Sequence, residues 1–354
     1  MTGEFLFFML IKCGEKEAIK VSKKIRFGVI GTNIITEKFI EAAFKCEHFE
    51  LSAVYSRTYE RGQLFASKYD VKHVFTDLEE LLTSDVVDAM YIASPNAMHA
   101  KQAILCLNHQ KHVLCEKPLA SNLLEVQAMI EAAQKNNVVL MEAMKTTLFP
   151  NFKMIKDHLD KIGTIRRYFA SFCQYSSRYD AYREGTVLNA FNPELSNGAL
   201  VDIGVYTIAP MISLFGLPSE IKASAYLLES GVDGEGTVVF KYPNMQGTVM
   251  YSKISNSYVP SEIQGEEGSI IIDRINEMNT VTIRYRNGQR EQISTPQIEN
   301  NMTYEVEEFI QLILNQKDES TINSFQFSYE VMQVLDEIRS QIGLVYPADL
   351  KQNY

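Results

Sequence analysis

The sequence predicts an α/β protein: an N-terminal doubly wound parallel sheet of the Rossmann kind, followed by a C-terminal α+β domain with a large, mainly antiparallel sheet. Three observations lead there. Between Lys24 and about Lys145, short apolar runs alternate with stretches of helical period, the mark of βαβ units and of a parallel sheet covered on both faces. Beyond Pro150 the pattern turns to strict alternation, as in half-buried antiparallel strands. And 354 residues suit two domains better than one.

In the first half, "IRFGVIG", "FELSAVYS", "VVDAMYIAS", "HVLC" and "VVLMEAMK" read as strands. "ITEKFIEAAF", "RGQLFASKY", "HAKQAILCLNH" and "LLEVQAMIEAAQKNN" read as the helices between them. In the second half, "RRYFASFCQY", "EIKASAYLLE", "GTVVFKY", "GTVMYSKIS", "SIIID" and "TVTIRYRNGQREQIS" read as strands, with the Asn287-Gly288 pair suited to a type I′ hairpin. Helices are expected near 194–214, in "YEVEEFIQLIL" and in "SYEVMQVLDEIRSQIG". The resulting division is an extension over 1–22, a nucleotide-binding domain over 23–145 and a second, α+β domain over 146–354. The apolar "FLFFMLI" near the start follows an acidic residue and is too short to cross a bilayer. Val21 suits an internal start codon, so residues 1–20 are expected to be an over-extended gene reading or a loose tail.

Composition narrows the partners. Net charge is −10 and no lysine or arginine block could track a phosphate backbone, so nucleic acid is excluded as a partner, and so is a membrane; a small molecule is expected. Five cysteines, an odd number without a Cys-x-x-Cys pair, suit free thiols in a reducing cytoplasm and call for no metal site.

The first strand ends in "GVIGTNIITEKF", where a dinucleotide fingerprint would place glycines at 31, 33 and 36 and two of the three are replaced. Gly31, Thr32, Asn33 and Ile34 still form the first βα turn, where a helix N-terminus offers amides and a dipole to a pyrophosphate. Asn33 is expected to tolerate positive φ and Thr36 to cap the helix. The second strand ends in Ser56 and Arg57 rather than in an acidic residue. A ribose 2′-hydroxyl is read by a carboxylate at this place and a 2′-phosphate by an arginine, so NADP(H) is favoured and NAD(H) is possible.

The third and fourth strands end in "IASPNAMH" and "CEKPLA", which by the switch-point rule converge on the nicotinamide. Ser94, Pro95, Asn96, His99 and Glu116 are the expected cofactor contacts there, His99 with a structural role as its main alternative. Lys117 can stabilise the oxygen of a forming or vanishing carbonyl and share its proton, provided that burial lowers its pKa toward neutrality. Pro118 keeps Lys117 out of helical dihedrals. Further on, "NGALVDIGVY" spaces Asp202 and Tyr206 four apart, on one side of a helix, as an acid/base and orienting pair. Arg178, Tyr179 and Asn192, in a polar and aromatic stretch upstream, are candidates for the substrate wall.

Taken together, "IASPNAMH", "CEKPLA" and "GALVDIGVY" resemble the motifs of the Gfo/Idh/MocA oxidoreductases, over essentially the whole chain from Lys24. The resemblance implies NAD(P)-dependent hydride transfer at a secondary alcohol or carbonyl of a sugar, polyol or cyclic diol. It also implies a frequent cis peptide at the Glu-Lys-Pro proline, substrate-binding and oligomerisation roles for the domain over 146–354, and a homo-oligomer, a dimer or dimer of dimers, paired through the open face of the large sheet. Family members often carry His where this chain has Tyr206; glucose-fructose oxidoreductase and the dihydrodiol dehydrogenases are closer to the Tyr form. Two other readings stay open at this level: a catalytically silent nucleotide sensor of the same fold, and a closed redox cycle on a tightly held cofactor.

Overall fold

The computed structural model describes residues 23–350, so the expectations for the first 22 residues lie outside the described part. The first half alternates β1 (Ile25–Ile30), α1 (Ile34–Ala43), β2 (Phe49–Tyr55), α2 (Tyr59–Ala66), β3 (His73–Phe75), α3 (Leu78–Thr83), β4 (Ala89–Ile92), α4 (His99–Asn108), β5 (His112–Glu116), α5 (Leu123–Asn136) and β6 (Leu140–Ala143). Its six strands are all parallel, in the order β3-β2-β1-β4-β5-β6. The order reverses direction between β1 and β4, and the crevice outside those strand ends is where an open α/β sheet takes its ligand. The pair β3 and α3 is absent from the sequence expectation. β3 is a three-residue edge strand, too short to show a period, whereas α3 carries its own signal in Asp77, whose carboxylate accepts the Glu79 and Glu80 amides as an N-cap.

The chain then runs through α6 (Pro150–Asp157), β7 (Ile165–Cys173), α7 (Ser177–Arg183), a π turn over Leu200–Gly204, α8 (Val205–Phe215), β8 (Glu220–Leu227), β9 (Asp233–Lys241), β10 (Gln246–Ser252), β11 (Ser261–Gly265), β12 (Gly268–Ile272), β13 (Val281–Tyr285), β14 (Arg290–Gln292), α9 (Thr303–Leu314) and α10 (Phe325–Ile342). The eight-stranded sheet has the order β14-β13-β12-β11-β7-β10-β9-β8 and is antiparallel except where β7 and β10 run parallel at its centre. That parallel pair brings the ends of both strands, Cys173 and Ser252, to the same edge. α8 and α10 cover one face. The run Pro193–Phe215 is long and apolar enough to cross a membrane by composition, yet it is largely buried, with α8 packed against β7 and β10. On the other face Tyr226 and Val239 are exposed, and Phe169, Met250 and Ile271 are half-buried.

Three local expectations are corrected. The β13–β14 turn is not type I′: Gly288 alone takes positive φ, and the Gly288 amide donates to the Tyr285 carbonyl, a type I turn closed by a glycine bulge. The polar stretch after β7, whose composition reads as a loop, is the helix α7, capped by the Ser176 hydroxyl. Finally, α9 does not stay with the second half. Met302, Val306, Phe309 and Ile310 join Phe27, Phe39, Phe49 and Tyr91 in one buried cluster against the first sheet, with the Phe309 and Phe27 rings 5.8 Å apart.

Candidate active site

The first βα turn is built around Gly31. It sits at φ +111°, and a Cβ there would meet the Ala93 carbonyl oxygen at 2.6 Å, so only glycine serves. Asn33 is extended at φ −124° rather than left-handed, and it, not Thr36, caps α1: its Oδ1 accepts from the Thr36 amide at 3.1 Å and the Thr36 hydroxyl at 3.2 Å. Its amide group donates to the Ala93 carbonyl at 2.8 Å, tying the turn to the end of β4. Ile34 is 71% exposed beside this turn. The result is an open, side-chain-free cradle at a helix N-terminus, which fits the pyrophosphate of a dinucleotide.

At the end of β2, Ser56 is buried and its amide donates to Phe75, while Arg57 points to solvent. A second arginine that the sequence reading passed over stands one helical turn later. Arg61 donates through Nε to the Thr32 hydroxyl at 2.8 Å and through Nη2 to the Thr32 carbonyl at 3.4 Å, so its guanidinium flanks the cradle. The spacing "SRTYER" was the available signal.

At the ends of β4 and β5 the structure separates supporting groups from presenting ones. His99 is buried, with Nδ1 3.0 Å from the Pro118 carbonyl and Nε2 2.9 Å from the Ser94 carbonyl. Each ring nitrogen faces a backbone carbonyl, and burial holds the pKa below the ordinary histidine value, so the neutral ring donates to one of the two carbonyls and bridges the two loops. The Ser94 hydroxyl donates to Gln102, Pro95 is exposed at the turn, and Asn96 donates across to the Ser196 carbonyl at 2.8 Å, joining the two halves. Glu116 turns into the sheet: it accepts from the Tyr91 hydroxyl at 2.6 Å and from the Lys117 amide at 3.3 Å, and burial raises its pKa. It therefore does not grip the Lys117 ammonium. The Lys117–Pro118 peptide is cis, and the turn rests on Glu142, which accepts from the Leu119 amide and the Ser328 hydroxyl.

Lys117 crosses to the second half. Its Nζ donates to the Asp202 carbonyl at 2.6 Å and to Asp202 Oδ1 at 3.2 Å, and lies 4.7 Å from the centre of the Tyr206 ring. Asp202 is in the π turn, not on a regular helix, and Tyr206 opens α8; the widened turn lets both flank the same ammonium. A residue the sequence did not flag completes the group: Lys253, just past β10 and almost fully buried, forms an ion pair with Asp202 Oδ2.

The electrostatics correct one sequence argument. Burial alone would lower the Lys117 pKa, but Tyr206, Asp202 and Glu116 together outweigh it and the net shift is upward. Burial would raise the Asp202 pKa, but Lys117 and Lys253 hold it well below the usual carboxylate range, so Asp202 orients and is no proton donor near neutrality. Burial pushes Tyr206 up to about 12, against the pull of Lys117. Lys117 and Tyr206 are thus both protonated at neutral pH.

The expected substrate wall is partly assembled. Tyr179 stacks on Tyr182 at 5.8 Å and meets Phe191, whose ring lies 5.8 Å from Lys253 Nζ. Arg178 is exposed on α7, and the Asn192 side chain is occupied in its own turn, accepting from the Glu194 amide at 2.9 Å.

A cradle for a dinucleotide, and an ammonium, a carboxylate and a phenol at the adjoining strand ends, describe a site for nicotinamide chemistry. The profile of an oxidoreductase family with an NAD-binding Rossmann fold, Gfo/Idh/MocA, matches residues 25–144, and the C-terminal domain of the same family matches residues 152–271. The chain belongs to the Gfo/Idh/MocA family. It is 58% identical over 325 residues to the scyllo-inositol 2-dehydrogenase (NADP(+)) IolU of Bacillus subtilis, an alignment covering 92% of this chain and 99% of that one. It is 32% identical to the trans-1,2-dihydrobenzene-1,2-diol dehydrogenase of Danio rerio, over 92% of this chain and 99% of that one. In fold it matches levoglucosan dehydrogenase, solved with NADH and levoglucosan, with a TM-score of 0.81 at 21% identity, covering 91% of this chain and 98% of that one. As a Gfo/Idh/MocA enzyme, the protein is an NAD(P)-dependent oxidoreductase that acts on CH–OH groups.

Proposed function

We propose that the enzyme interconverts a ring secondary alcohol of a cyclic polyol, of the scyllo-inositol kind, and its ketone, with NADP(H) as the preferred cofactor. The observation that carries this is the Lys117–Asp202–Tyr206 group at the mouth of the nucleotide crevice, in a chain 58% identical to an NADP-dependent inositol dehydrogenase. Gly31, Asn33 and the start of α1 would hold the pyrophosphate, and Ser56, Arg57 and Arg61 the ribose 2′-phosphate. The bound nicotinamide supplies or accepts the hydride.

The side chains do the rest. The Lys117 ammonium faces the reacting oxygen and stabilises negative charge on it, while Asp202 fixes the ammonium through two acceptors. Tyr206 holds a proton beside Lys117, and the pair passes one proton to or from that oxygen. With Lys117 and Tyr206 both protonated at rest, the protein alone is set for the carbonyl-reducing direction, and alcohol oxidation requires the pair to lose a proton first. The half-buried apolar residues on the open face of the large sheet support pairing of two copies there, and the unpaired state of the described cysteines supports a cytoplasmic location.

The test is a panel of inositols, inososes, pyranoses and anhydrosugars, each with NADP(H) and NAD(H), followed by absorbance at the reduced nicotinamide band. Highest kcat/KM for a cyclic polyol with NADP supports the reading. Turnover confined to open-chain or aromatic substrates, or a preference for NAD, refutes it.

A further inference from the structure

Lys253 is a buried cation at the site with no part in the chemistry described so far, and its surroundings give it one. Its backbone is fixed on both sides: the Lys253 amide donates to the Gly234 carbonyl at 2.9 Å, and its carbonyl accepts from the Ser176 amide at 2.8 Å. The preceding Ser252 hydroxyl accepts from the Ile254 and Ser255 amides at 3.2 and 3.0 Å, a turn that bends the chain sharply where β10 ends. The side chain thus leaves a rigid corner and reaches Asp202 Oδ2, while Lys117 takes Oδ1. One carboxylate is held by two ammonium groups, one from each half of the molecule. Only 5% of the Lys253 side chain reaches solvent, against 11% for Lys117 and 33% for Asp202, so Lys253 is the most deeply buried of the three.

We propose that Lys253 is a positioning residue of the hydride-transfer site, which pins Asp202 and supplies the second positive charge against which the Lys117–Tyr206 pair gives up its proton. The inference rests on the polyol dehydrogenase reading above. The charged and titratable groups around it agree. Lys253 faces Asp202 on the π turn and Asp233 on β9, whose carboxylate it also stabilises. Lys117 faces Asp202, Tyr206 and Glu116, with Glu142, Glu305 and Lys145 farther back. Without Lys253 the whole Asp202 charge falls on Lys117, and a nearby like charge that repels protons is gone. Both changes make Lys117 and Tyr206 hold their protons more tightly, whichever of the two is the kinetic base.

The experiment is the pH profile of kcat/KM for alcohol oxidation in wild type, Lys253→Met and Lys253→Arg. In Lys253→Met the limb for loss of the essential proton moves to higher pH by about one to two units, the size expected for one charge a few ångströms away at intermediate dielectric. At any fixed pH below about 10 that displacement reads as a ten- to hundredfold fall in kcat/KM for alcohol oxidation, while the affinity for NADPH stays as in wild type. In Lys253→Arg the charge is kept and the limb stays at the wild-type position. A limb unmoved in Lys253→Met overturns the proposal, as does a limb displaced in Lys253→Arg. Should Lys253→Met fail to fold by circular dichroism, Lys253→Gln takes its place in the same comparison. Wild-type protein that oxidises no polyol defeats the underlying reading instead, before any variant is made.

Discussion

Cofactor choice can be worked from two exposed arginines. Arg57 is bonded to no neighbour among the described residues, whereas Arg61 is already held on Thr32 beside the Gly31 turn. A guanidinium bonded to a phosphate contributes about 1.5–3 kcal/mol, and exposure to solvent puts Arg57 near the lower end. Removing it in Arg57→Ala therefore costs roughly tenfold in NADPH affinity and less than twofold in NADH affinity. Arg61→Ala costs a similar factor for NADPH plus a smaller loss for both cofactors, since the bonds to Thr32 also go. Two arginines sharing one phosphate are not independent, so the double variant falls short of the product of the two factors. Fluorescence titration with NADPH and NADH, at about 0.05 M and 0.5 M salt, measures this. Screening should shrink the NADPH advantage in wild type and leave the Arg57→Ala, Arg61→Ala protein almost unchanged. Equal losses for the two cofactors in Arg57→Ala would refute the assignment.

Other expectations follow from the same geometry. Lys117→Met should lower turnover by about two orders of magnitude or more while NADPH still binds, because the charge facing the reacting oxygen is lost and the cradle is untouched; near-normal turnover would remove Lys117 from the mechanism. Gly31→Ala drives a methyl group into the Ala93 carbonyl at a left-handed position, and should weaken both cofactors by more than tenfold and lower the melting temperature. Unaltered binding by titration would mean that the turn relaxes at no cost. Glu142 is buried beneath the cis-proline turn and its pKa is pushed up to about 7, chiefly by burial. The folded state then binds a proton that the unfolded chain has released, so stability falls as pH rises from about 4.5 to 7, by at most about 3 kcal/mol from this group. Urea unfolding at pH 5 and pH 7.5 should show that difference in wild type and a smaller one in Glu142→Gln; the same pH dependence in both proteins would clear Glu142 of it.

Much of this site could be read before any coordinates because parallel strands report their own ends. "IASPN" and "CEKPLA" each close an apolar run with polar residues, and in a doubly wound sheet such ends share one crevice. Gly31 could be read as well, from its place after the first strand. Other features depend on folding at a distance. Lys253 is an unremarkable lysine near the end of the strand read in "GTVMYSKIS" until β10 lies parallel to β7 and carries it to Asp202. The raised proton affinity of Lys117 likewise needs Tyr206 and Asp202 beside it, and neither is near in sequence. The π turn that aims them leaves no periodic trace, since Asp202 and Tyr206 keep the spacing of an ordinary helix. β11 escaped because "SEIQG" is half-buried and too short to alternate visibly. His99 sits where the sequence allowed a structural role, its ring between the Ser94 and Pro118 carbonyls.

The return of α9 to the first sheet bears on the order in which this chain can be made. β1 is among the first elements to leave the ribosome, yet the apolar surface around Phe27 and Phe49 is closed by Phe309, Val306 and Met302, which are among the last. During synthesis, then, the nucleotide half exists for most of the time as a sheet with one oily flank open to water or to chaperones. A gene truncated after residue 145, though it keeps every strand of that sheet, would release a sticky fragment in place of a small nucleotide-binding protein. The cofactor half is not finished until the C-terminal helix α9 arrives.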